Sequence, residues 1–218
     1  PVVRGENLYI EVEGSSWQEA VDNSKAIGGD LFSINSQLDQ DFLVSNWGSK
    51  YDHIYIGNND LDGDGEWNLR DGTIQAYSNW VDGQKEPGGV GVVITRDWFH
   101  PWEAGWETNK WVTGDKETKL GRGLIGDRID HGTIAEIPFI RRDDSAYVLV
   151  EGPTWEEAQV NAENLGGHLV AINDKEENQW LASEFSKERD FYDGDSTNIS
   201  ETHFWLGASD INSEGEWE

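Results

Sequence analysis

One pattern constrains this chain more than any other. The stretch IYIGNNDLDGDGEW at 54–67 returns as FWLGASDINSEGEW at 204–217. Each reads as an apolar strand, a Gly, an acidic loop and then Gly-Glu-Trp. The likeness extends upstream. Residues 9–47 align without gaps on 147–185, with fifteen identities in 39 positions. Trp17/Trp155, Glu19/Glu157, Ala20/Ala158, Gly28/Gly166, Leu31/Leu169 and Asn35/Asn173 are among them. The later stretches match at a larger offset because the second copy carries twelve more residues, within 186–203. A repeat of this length reads as a tandem duplication of one domain rather than a short-period solenoid.

Each copy opens with a predicted strand, Leu8–Glu13 or Ala146–Glu151. A helix follows with a capping-box spacing, Ser16 before Glu19 and Thr154 before Glu157. Trp17, Ala20, Val21 and Ile27 fall near one helical face, as do Trp155, Ala158, Ala162 and Leu165. Gly28-Gly29 and Gly166-Gly167 supply the stop. A short strand, Leu31–Ile34 or Leu169–Ile172, leads to a second helix beginning near Ser36 or Asp174. Beyond Trp67 the first copy is rich in loops. Val90–Thr95 reads as a buried strand, Asp97–Gly132 as a long irregular aromatic stretch, and Thr133–Ile140 as a closing strand. Arg141–Asp144 reads as a charged linker. The expected domains are 6–140 and 145–218, the second holding the first half of a domain.

Composition narrows the function. The net charge is -27, from 43 acidic and 16 basic residues. Nucleic acid and anionic lipid need basic patches, so both are disfavoured. Crowded carboxylates favour bound cations, or else simply keep the chain soluble. There is no Cys, which excludes disulfides, thiolate metal sites and Cys nucleophiles. No apolar run approaches the roughly 18 residues of a membrane span. No signal-peptide pattern opens the chain and it has no Met, which suits a processed chain or a piece of a longer one. The five His have no HExxH spacing, and neither GxSxG nor a phosphate loop occurs, so no enzyme is expected.

The ordered series TWEEAQVNAENLGGHLVAIN then FWLGASDINSEGEW, matched by SWQEAVDNSKAIGGDLFSIN then IYIGNNDLDGDGEW, SNW at 78–80 and TIAEIPF at 133–139, resembles C-type lectin-like domains. The resemblance covers nearly all of 6–140 and half a domain over 145–218. It implies an α+β fold, mixed strands with two helices and a long loop region, tandemly repeated and free of the family's usual cysteines. It implies a non-enzymatic, extracellular or cell-surface module for ligand binding or adhesion, stabilised by Ca2+. Its partner would be a glycan or a protein, met through the long loops. The alternative is a repeat unit of a surface fibre or multi-protein assembly, homo-oligomeric or mixed, with the Trp-rich loop against neighbours.

The acidic loop is the candidate metal site. Ca2+ takes roughly six to eight hard oxygens, and carboxylates at alternate positions around a Gly turn can wrap it. Asp60, Asp62, Asp64 and Glu66 supply them, and Asp71 stands twelfth from Asp60, where an EF-hand loop places its acidic ligand. Asp210, Asn212 and Glu214 repeat the set in the second copy. By resemblance, Asp60 and Asp64, like Asp210 and Glu214, match ligands of an auxiliary Ca2+ site. The other reading is a solvated Asp/Gly turn. Candidate ligand-binding residues are Asn79, Trp80, Glu86, Trp98, Trp102, Trp106 and Trp111. The rings of 98–111 either stack on a ligand or form a satellite core in place of disulfides. Two motifs depart from the family: its sugar-binding triplet is Glu86-Pro87-Gly88, and its Trp-Asn-Asp is Trp111-Val112-Thr113. Pro87 stands where the family often has a cis bond, and cis is expected here.

Overall fold

The structure is a computed structural model that describes residues 1–95, 108–116, 131–185 and 203–208. They fall into two compact units, Pro1–Val150 and Glu151–Glu218.

The first unit is built on a seven-stranded mixed sheet. Its strands are β1 (Val2–Arg4), β2 (Asn7–Glu11), β3 (Asp30–Leu31), β4 (His53–Asn59), β5 (Val90–Ile94), β6 (Trp111–Gly114) and β7 (His131–Pro138). The spatial order is β1-β2-β7-β4-β5-β6, with β3 also on β7. The closing strand β7 is therefore central. It runs antiparallel to β2, pairing Asn7 with Pro138, and parallel to β4, pairing His53 with His131. Two helices, α1 (Trp17–Ala26) and α2 (Gln37–Trp47), lie between β2 and β4 in the chain.

Strand β4 is buried on both faces, so its apolar residues run on without alternation. Ile54 and Ile56 enter a core with Tyr9, Ile34, Leu43, Trp47 and Trp111. Tyr55 points the other way, into a core with Trp17, Val21, Leu31 and Val92, as the two-residue period of a strand requires. Trp17 is 0% exposed, and its indole N–H donates to the Ile56 carbonyl at 2.8 Å.

The helix ends follow the sequence closely. Ser16 accepts the Glu19 N–H at 3.2 Å, and Ser36 accepts that of Asp39 at 3.2 Å. The reciprocal half of the first capping box shifts by one residue, because Glu19 takes the Ser15 N–H instead. Gly28 ends α1 at φ +82°, and the Gly29 N–H reaches back to the Ser24 carbonyl. That left-handed turn is open to Gly at little steric cost.

Two expectations for the first unit are corrected, and one strand is new. The stretch 97–132 is not wholly irregular, since it contains β6, paired along β5 from Val90↔Gly114 to Val93↔Trp111. Arg141–Asp144, expected as a charged linker, is ordered. It lies in a hairpin of β8 (Ile140–Arg142) and β9 (Ser145–Tyr147). Strand β1, not expected at all, adds itself to β2.

The second unit holds α3 (Trp155–Asn164) and α4 (Lys175–Phe185). Thr154 and Glu157 form the full reciprocal capping box, and Asp174 accepts the Glu177 N–H at 2.7 Å. Gly166 repeats the helix-ending turn at φ +84°. Segments 169–172 and 203–206 are not strands, contrary to expectation. They are nonetheless tied in register: the Gly207 N–H donates to the Val170 carbonyl at 2.9 Å, as Gly57 does to Phe32 at 2.8 Å. Trp155 donates to the Leu206 carbonyl at 2.7 Å, the counterpart of Trp17 and Ile56.

Candidate functional site

Strand β4 delivers its last residue, Asn59, to the neck of the acidic loop. Asn59 and Asn68 exchange backbone hydrogen bonds at 2.9 and 2.7 Å, closing a loop over 60–67. Trp67 is buried and anchors the exit. Within the loop the Asp60 carbonyl accepts the Gly63 N–H, Asp60 Oδ2 accepts the Gly65 N–H at 3.1 Å, and Asp64 Oδ1 accepts the Glu66 N–H at 2.7 Å. These local bonds curl the loop so that its carboxylates converge.

Asp60 is the informative member. It is 0% exposed, and its Oδ1 is buried without a hydrogen-bond partner. A buried carboxylate oxygen left bare is costly. Asp62 and Asp64 each bring an oxygen within 4.8 Å of the others. Three clustered carboxylates, one of them carrying a bare buried oxygen, fit a divalent cation with oxygen preference, such as Ca2+, with the exposed side open to water ligands. Glu66 is exposed at the end of the same loop. Asp71 does not join the cluster. It accepts the Thr73 N–H at 2.9 Å and the Thr73 hydroxyl at 2.7 Å, which hold its carboxyl below the ordinary range. The EF-hand-like twelfth position is thus spent on a turn. Asp210, Asn212 and Glu214 lie outside the described residues.

A second loop meets the first at Asp60. The Asp60 N–H donates to the Gly89 carbonyl at 2.9 Å, and the Gly88 N–H approaches Asp60 Oδ2 at 3.4 Å. Pro87, between Glu86 and Gly88, is trans, which corrects the cis expectation. Glu86 is exposed, and its N–H donates to Thr113 Oγ1 at 2.9 Å.

The aromatic candidates separate. Trp111 is 0% exposed, with its indole N–H on Gln40 Oε1 at 2.6 Å, so it is a core residue and not a ligand platform. Trp80 sits edge-on between Trp67, at 4.4 Å, and Trp111, at 5.4 Å. Trp111 thus belongs to the main core, with Trp80 packed against it. Asn79 is committed to the scaffold: its side chain donates to the Asn109 carbonyl and its carbonyl accepts the Trp111 N–H. Trp98, Trp102 and Trp106 lie outside the described residues. Gln40 was missed by sequence reasoning. It is 2% exposed and holds both Trp111 and the Asn109 carbonyl. A polar residue at i-3 from Leu43 and i-7 from Trp47, on the apolar face of α2, is the signal that could have found it.

Comparison with known proteins places this geometry. The family model for the Lectin C-type domain matches residues 13–118 and 151–218. A perlucin-like protein of Mytilus galloprovincialis is 31% identical over 67 residues, 31% of this chain and 37% of that protein. The low affinity immunoglobulin epsilon Fc receptor of Mus musculus is 36% identical over 83 residues, 38% of this chain and 24% of the receptor. The human C-type mannose receptor 2 is 24% identical over 222 residues, 98% of this chain and 14% of the receptor. The chain thus spans at most 37% of the length of these curated relatives. Among solved structures, the carbohydrate-recognition domain of cow CD23 is 22% identical with a TM-score of 0.47, covering 63% of this chain and 92% of that one. Among the described residues no helix is long and apolar enough to cross a membrane.

Proposed function

Because the chain belongs to the C-type lectin domain family, we propose that it is a non-catalytic ligand-binding module whose first unit is braced by a divalent cation in the acidic loop. The bare, buried Asp60 Oδ1, with Asp62 and Asp64 beside it, carries this reading. Asp60, Asp62 and Asp64 would hold the ion. Ca2+ supplies positive charge to a crowded acidic loop and pins the end of β4. Two of the relatives are named as receptors, for immunoglobulin epsilon Fc and for mannose, which supports glycan or protein ligands for this chain and a setting at the cell surface or outside the cell. The two matched segments of the family model, and the shared bonds of Trp17 and Trp155, support a tandem duplication with a boundary between 140 and 151. Asp210, Asn212 and Glu214 would repeat the cation site.

Calorimetric titration of Ca2+ into chelator-treated chain, with melting curves, tests the reading. Binding to the first unit that vanishes in Asp60→Ala/Asp64→Ala supports it; heat unchanged by that pair refutes it.

A second reading, a repeat unit of a multi-protein assembly, is favoured by the exposed Phe204, Trp205 and Leu206 of the second unit. Light scattering decides it: concentration-dependent association that Trp205→Ser weakens supports assembly, and a monomer at all concentrations removes it.

A further inference from the structure

The family resemblance implies a second cation, one that touches the sugar directly. In this chain its positions are Glu86, Gly88, Val112 and Thr113. They do not fit it. Gly88 offers no side-chain oxygen and stands at φ +82°, where a side chain is strained. Val112 is 7% exposed and pairs with Val92 in the sheet. Thr113 offers no carboxylate or amide oxygen, and its hydroxyl is tied to the loop. Its hydroxyl donates to the Gln84 carbonyl at 2.7 Å and accepts the Glu86 N–H at 2.9 Å, while its own N–H also donates to Gln84 at 3.1 Å. These bonds aim the hydroxyl at Gln84 and Glu86 of the loop. Glu86 is then the one carboxylate of the set. A single carboxylate does not supply the oxygens Ca2+ needs.

We propose that residues 84–89 form a metal-free clasp that replaces the sugar-bearing cation, so that this unit meets its ligand without metal coordination. The clasp is held at one end by Thr113 on β6. It is held at the other by Asp60, through Gly88 and Gly89. A cation on Asp60 would brace this end of the clasp through the bonds of Asp60 to Gly88 and Gly89. The closed sugar site stands on Gly88, Val112 and Thr113 alone, whether or not the acidic loop binds an ion.

The test uses the full chain on mannose-agarose and galactose-agarose, with Ca2+ and with chelator, beside Glu86→Gln and Thr113→Val. Flow-through in both conditions is expected. Retention that persists in chelator and survives Glu86→Gln also agrees with the proposal, since the sugar is then held without a cation. Retention that needs Ca2+ and is lost in Glu86→Gln overturns it. In Thr113→Val the Glu86 amide should exchange about tenfold faster, with β4 amides unchanged as the folding control. A Glu86 amide that exchanges as in the parent would show that the clasp does not hold the loop. If instead Ca2+ titration is silent while the clasp results stand, the reading of the acidic loop has failed and this one has not.

Discussion

Trp17 and Trp155 occupy matching places in the two units and make the same bond, indole N–H to the carbonyl of Ile56 or Leu206. Their surroundings differ. Trp17 has no exposed surface, and Trp155 is only partly buried. Tyr55 and Ile56 are buried, whereas their counterparts Trp205 and Leu206 are 51% and 38% exposed. The caps, the glycine turns and the Trp anchor are short-range devices, and both units have them. What the first unit adds is β5 and β7 on either side of β4. The apolar strand is an instruction that only neighbouring strands can carry out. Hydrogen bonds set the register of this fold, and the flanking strands provide its burial.

This comparison can be broken most sharply at the two tryptophans. Trp17→Ala should cost about 3–5 kcal/mol of unfolding free energy, as for a fully buried ring, and Trp155→Ala roughly half of that or less. Amide exchange read separately in β4 and α3 measures both; equal losses would mean that the second unit is as well packed as the first. Calcium gives the next contrast. At about a hundredfold excess over its dissociation constant it should stabilise the first unit by about 2.7 kcal/mol. Asp60→Asn should abolish that gain, as followed by β4 exchange. A smaller effect sharpens the likeness instead. Ser16→Ala and Thr154→Ala should each lose about 1 kcal/mol of helix stability, because caps act within one turn and ignore the rest of the unit.

Acidity separates the units most gently. Burial pushes the Glu136 carboxyl up, against the hydrogen bonds from Tyr9 and Asn7 that favour its charged form. A carboxyl raised by folding stabilises the fold while it is protonated. That contribution is complete below the ordinary Glu range and is lost as pH rises through the raised value. Urea midpoints of the first unit should therefore fall across mildly acid pH, and Glu136→Gln should flatten the slope. A slope unchanged by the substitution would remove Glu136 as its source.

What could be read from the residues follows the same division. Ser16, Thr154, Gly28 and Gly166 were legible because a cap or a stop is decided by residues within one turn. Asp60–Asp64 was legible as a cluster because alternate positions in a tight loop converge whatever surrounds them. Trp111 was not. Its place in an aromatic stretch says nothing about which way the ring points, and pairing with β5, out of reach in the sequence, turns it inward. Segment 169–172 carries the letters of a strand, but among the described residues it has no partner like the β7 that pairs β3. Asp71 sat at an apt count from Asp60, yet Thr73, two residues away, had the prior claim on it.

The central position of β7 also bears on the order in which the first unit can form. Nothing local closes this sheet: Asn7 must find Pro138, and Leu31 must find Ala135. Such distant pairings make folding slow, since a long loop must close before any contact repays it. During synthesis β2 and β4 emerge early and wait for a partner encoded more than seventy residues after β4. In that interval both present open strand edges, which neighbouring chains can pair. The dense negative charge of the chain would then act before the native state exists, keeping unfinished copies apart until residue 138 arrives.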